Sequence, residues 1–225
     1  MTTTMEMSQP KIENQNGKMP AKVTQKSGKG TTDRLISEMA TFFTVKPGQE
    51  EKLREACARF AATALHGDPK VIQKSGLRDS RHVLFDNGQR LLWATTFETD
   101  WDPYIDDAVL VMGFRAFVDW MQYTVEGSTI IKSMQDSVSA GGLTTTNAGE
   151  IDQFLSANTS DLKRILQSVQ APAAGYWNML AGQTVPQIRK AQQVDQAFQQ
   201  VLDDPGAAQA LENPVLKPLL EQASD

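Results

Sequence analysis

The chain has 225 residues, 40% of them apolar and 22% charged, which suits a soluble globular protein of one large domain or two small ones. A net charge of −5 supplies no basic field for nucleic acid. No stretch approaches the roughly 20 apolar residues of a membrane span. The N-terminal run lacks the apolar core of a secretory signal, and the single cysteine, Cys57, excludes an internal disulfide, so a cytoplasmic setting is expected.

Residues 1–33 contain no aromatic residue and few large aliphatics. Such a segment cannot bury enough apolar surface to offset its ordering entropy, which predicts a disordered tail. Residues 35–45 are β-rich and stop at Lys46-Pro47-Gly48, a turn signal. In the next segment Leu53, Cys57, Phe60, Ala61 and Ala64 recur at helical spacing. Glu50 and Glu51 favour its first turn, and Gly67 is the expected C-cap.

Two β-rich runs, ending at Phe85 and Phe97, flank Asn87-Gly88, a hairpin signal. Asp100 then caps a long helix with Pro103 in its first turn and an expected end at Gly127. Residues 127–149 turn to Ser, Thr and Gly. They read as a long connection, either a surface excursion with a short helix at 130–138 or a lid. From 150 the pattern is helical. A last strand is expected near 171–180, then an amphipathic helix capped by Thr184, then short helical pieces.

This order predicts an α+β domain over 34–126. Its split βαβ antiparallel sheet is ferredoxin-like, with helices on one face, and a helical extension follows at 150–225. The runs FFTVKPGQEEKLREA (42–56) and LLWATTFETDWDPYIDD (91–107) resemble the dimeric α/β-barrel superfamily. That group includes antibiotic-biosynthesis monooxygenases, stress-responsive barrel proteins, chlorite dismutases and dye-decolorising peroxidases. The resemblance implies a homodimer of paired sheets, unless the C-terminal helices cover the free sheet face and leave a monomer.

Strict alternation along the strand ending at Phe85 puts Leu77, Asp79, Arg81, Val83 and Phe85 on one side. Arg78, Ser80, His82 and Leu84 fall on the other. Of the two histidines, His66 suits the end of a helix and His82 is the better candidate for a general base or an axial haem ligand. Arg81 is its candidate catalytic partner. Cys57, among small residues, reads as a core thiol. Asp100 and Asp102 read as helix-terminal acids, and the adjacent Asp106 and Asp107 point about 100° apart on a helix, so no paired-carboxylate centre is expected. No zinc spacing, nucleophile elbow or phosphate-binding glycine loop is present, so no metal is expected and nucleotide use through those loops is not either.

Trp93, Phe97, Tyr104, Trp120, Tyr176 and Trp177, together with Met112 and Met134, are either core or the wall of an apolar pocket between sheet and helices. Arg78 or Arg81 would then fix a carboxylate or phenolate. Two functions stay open. One is an oxygenase- or peroxidase-type enzyme acting on a small hydrophobic or aromatic molecule, with haem a possible cofactor. The other is a non-catalytic module that binds an apolar ligand or a protein.

Overall fold

The computed structural model describes residues 24–25, 31–32, 35–132, 147, 149–150, 159–180 and 182–223. Its centre is an antiparallel sheet. Strand β1 (Thr24–Gln25) pairs with β2 (Thr31–Thr32), and β2 meets β3 (Ser37–Thr44). The segment expected to be a featureless tail thus carries two short strands. Its remaining residues lie outside the described ones.

Strand β3 also pairs with β5 (Arg90–Phe97), which pairs with β4 (Leu77–Phe85). On its other side β3 takes β6 (Gln170–Ala171). The order β6-β3-β5-β4, all antiparallel, is the ferredoxin-like split βαβ arrangement. The last strand is only two residues long and precedes most of the predicted 171–180. Residues 172–180 form no strand, and with Pro172 lacking an amide hydrogen the ladder ends there.

Along β5 buried and part-buried residues alternate, with Leu91, Trp93, Thr95 and Phe97 turned inward. Period-two patterning makes one sheet face the floor of the core. Helix α1 (Glu50–His66) lays Leu53, Ala56, Cys57 and Phe60 on that floor, and their three- and four-residue spacing puts them on one helical face. Each large side chain buried here contributes about 1.5–3 kcal/mol. Helix α2 (Pro69–Lys74), capped by Asp68, was not foreseen.

Strand β4 leads into β5 through residues 86–89, where Asp86, Asn87 and Gly88 all have positive φ. The predicted Asn87-Gly88 turn is therefore part of a four-residue loop. The single long helix expected after Asp100 is two helices. Gly113, at φ 78°, leaves the right-handed region and separates α3 (Trp101–Met112) from α4 (Phe114–Met121). The chain turns well before Gly127, where a Cβ would overlap the Met121 carbonyl.

Residues 128–132 are helical, and the remainder of the predicted connection lies almost wholly outside the described residues. Helix α5 (Ser160–Val169) seals the core with Leu162, Ile165 and Leu166. It is tied to α3 where Asp106 accepts hydrogen bonds from Thr159 and Lys163, both at 2.8 Å. These bonds outweigh the effect of burial and hold the Asp106 carboxyl below its usual range.

The C-terminal segment differs from the rest. Helix α6 (Val185–Leu202) starts with a capping box between Thr184 and Gln187 and buries none of its residues. Its apolar residues Val194 and Val201 are exposed. Helices α7 (Ala208–Leu211) and α8 (Lys217–Ala223) follow, and neither buries a residue. No described helix is long and apolar enough to cross a membrane.

Candidate functional site

Helix α1 packs against α4 and leaves a gap toward α3 above the edge strand β4. The gap is a cavity of about 700 Å³, within the range of small-molecule sites. Its α1 wall is low because Ala58, Ala61 and Ala64 are small. Phe60, Trp93, Phe117 and Met112 supply apolar surface, and Tyr104 and Ala108 come from α3.

His82 points inward from β4, opposite Trp93 of β5. Its imidazole stacks with Trp93 at a ring-centroid distance of 5.9 Å. It also meets the edges of Phe60 at 5.4 Å and Trp120 at 5.1 Å. Burial lowers its pKa to about 4, so the ring is neutral at pH 7. Its Nε2 is buried and has no hydrogen-bond partner among the described residues, and the same holds for Trp120 Nε1. Native cores seldom leave two such atoms unsatisfied in neighbouring rings.

The other polar groups nearby are satisfied. Trp93 Nε1 donates to Ser80 Oγ at 2.9 Å. Thr95 gives its hydroxyl proton to the Asp79 carbonyl at 3.0 Å, so the Tyr104 hydroxyl, 2.9 Å away, donates to Thr95. Burial raises the Tyr104 pKa and makes that phenol a poor acid. Cys57 also borders the cavity, and burial pushes its thiol up to about 12. It is the inert core thiol that its small neighbours suggested.

Arg81 does not join His82. The β4 alternation points its side chain away from His82, and its exposed guanidinium lies 3.7 Å from Asp79 at the cavity rim. Arg78 occupies a bulge between Leu77 and Asp79. The extra residue returns Leu77 to the inner face opposite Phe97, so the simple alternation that grouped Leu77 with Arg81 fails at this point.

Arg78 is nearly buried and forms a 3.0 Å ion pair with Glu98. Its Nη2 also donates to the Gln183 carbonyl, and Glu98 accepts from the Val185 amide at 2.5 Å. This pair fastens the start of α6 to the cavity rim. Val185 and Arg189 of α6 consequently line the cavity, although nothing in the sequence of the extension marked them for it.

Of the aromatic residues singled out from the sequence, Trp93 and Tyr104 line the cavity. Phe97 lies beneath Tyr104, stacked at 3.9 Å, and Trp120 lies beneath His82. Tyr176 and Trp177 stand apart, beside a shallower depression with Ile36, Leu180 and Ile188. Met134, another candidate wall residue, lies outside the described residues.

The His82 environment does not fit an axial haem ligand. That role needs a flat space the size of a macrocycle over the imidazole, and Phe60, Trp93 and Trp120 pack against the ring at centroid distances of 5.4, 5.9 and 5.1 Å. Among the described residues no group of three His, Cys, Asp or Glu side chains gathers to hold a metal ion.

No protein-family model matches the chain, and no curated protein does. A structural comparison finds a Bordetella bronchiseptica protein provisionally described as an antibiotic biosynthesis monooxygenase. It is 16% identical to this chain, with a TM-score of 0.29, covering 41% of this chain and 84% of that one. The fold stands on the strand order and register of this protein itself.

Proposed function

We propose that the protein binds a small, hydroxyl-bearing aromatic or hydrophobic molecule in the cavity between β4, α1 and α3. The observation that carries this reading is the buried, unpartnered Nε2 of His82, set among Phe60, Trp93 and Trp120 at the cavity wall. Trp120 Nε1 can only donate and a neutral imidazole can accept. A ligand hydroxyl that reaches the imidazole would give its free nitrogen the missing partner.

Binding is favoured over catalysis. An imidazole with a pKa near 4 is a weak base at pH 7, whereas proton transfer is most effective when the pKa lies near the working pH. The arginine expected to assist it faces the other way. An oxygenase acting on the same ligand is the second reading, supported by the neutral His82 beside a closed apolar wall. A homodimer is also part of the proposal. The outer sheet face carries Phe42, Val83, Phe85 and Leu92, part-buried or exposed, and suits the matching face of a second copy. A cytoplasmic setting is proposed on the single buried thiol alone.

The test is calorimetric titration with 2-naphthol. The wild-type protein should bind it saturably with a negative heat-capacity change. Ala61→Trp, which adds bulk at an exposed α1 position, should block binding and leave the unfolding midpoint within a few degrees. Equal binding by both proteins would put the ligand somewhere else.

A further inference from the structure

The charges around the cavity are unevenly placed. Four of its lining residues are arginines, Arg54, Arg78, Arg81 and Arg189, against one acid, Asp79. Arg54 lies 3.6 Å from Glu51 in the first turns of α1. Arg81 and Asp79 pair with each other, and Asp79 also accepts from Thr96 on the outer face. Glu98 neutralises Arg78. Arg189 has no acidic partner among the described residues. It lies on the exposed face of α6 beside Val185, at the end of the cavity where Arg78 is locked in place.

His82 sits four positions along β4 from Arg78, roughly 13 Å at about 3.3 Å per residue. The cavity therefore has an apolar middle with a single polar spot and one end with uncompensated positive charge. Arginine side chains can reach several ångströms into that interval and pair with a carboxylate through two parallel hydrogen bonds.

We infer that the ligand is an anionic amphiphile: an aromatic or hydrophobic body whose hydroxyl meets His82 and whose carboxylate is held at the Arg189 end. The inference rests on the cavity being a ligand site. It adds that recognition uses a residue of the C-terminal extension, outside the ferredoxin-like core. The Arg78–Glu98 pair has a positioning role here, because it holds the first turn of α6 where Arg189 borders the opening.

The experiment compares 2-naphthol with 6-hydroxy-2-naphthoate, which keeps the hydroxyl and adds a carboxylate at the far end of the rings. In wild-type protein at low salt the naphthoate should bind at least tenfold more tightly, as expected for a charge-assisted hydrogen bond. That ratio should fall below about threefold in Arg189→Ala and in 0.5 M salt. Lys190→Ala, its exposed neighbour outside the lining, should keep the full ratio. Equal affinities in wild-type protein, or an unchanged ratio in Arg189→Ala, would overturn the anion assignment and leave the proposed hydroxyl-binding cavity standing. Binding of neither probe would overturn both.

Discussion

His82 is held as a neutral imidazole among aromatic side chains, and its buried Nε2 has no partner among the described residues. Its folded-state pKa of about 4 lies below the unfolded value near 6.5. Between these values the unfolded chain binds a proton that the folded one refuses. Stability from this residue is therefore complete above about pH 6.5 and is lost as pH falls toward 4, by about 1.4 kcal/mol per pH unit. From pH 7.5 to 5.0 the loss should be about 2 kcal/mol. His82→Phe should abolish that loss and raise stability at pH 7.5 by about 1–3 kcal/mol, because the orphaned acceptor is gone. Urea unfolding at the two pH values measures both effects, and an unchanged slope in the variant would contradict the buried neutral state. The sequence pointed to His82 because a lone histidine in a β-rich run needs an explanation. The same alternation already set Arg81 on the other face of the strand, so the pattern did not support pairing it with His82.

Helix α6 buries none of its residues, and its start is tied to the cavity rim by hydrogen bonds to the Arg78–Glu98 pair. Removing Glu98 leaves Arg78 buried without a counter-charge, which costs about 3 kcal/mol in comparable pairs. Glu98→Ala should lower global stability by about that amount. It should also speed hydrogen exchange at Val185–Arg189 by more than tenfold relative to α1; equal exchange would show that α6 is fixed by other contacts. The capping of α6 was legible from Thr184 and the residues after it, because a capping box is a local pattern. Its docking was not legible, because it depends on a β-bulge and on a partner 87 positions away in sequence. The break at Gly113 was missed for a similar reason. A glycine within an apolar helical pattern keeps the periodicity on both sides, and only its φ of 78° reveals the bend.

The whole molecule is a ferredoxin-like sheet with helices on one face and an exposed helical extension. The order strand, helix, strand, strand, helix was readable because each element had strong local signals. The closing strand was placed late because two residues carry almost no pattern. The outer sheet face should pair two copies. Leu92→Asp, at the centre of that face between Phe42 and Val83, should convert a dimer to a monomer in light-scattering chromatography. A monomeric wild-type protein would refute the pairing. In the proposed complex His82 meets a hydroxyl of the bound molecule. The most direct test of this contact is the affinity of 2-naphthol against 2-methoxynaphthalene, which lacks the donor, in wild type and in His82→Phe. Wild type should prefer the naphthol by about tenfold, the worth of one buried hydrogen bond, and the variant should show no preference. The same preference in both proteins would contradict the assignment of His82 as the ligand's partner.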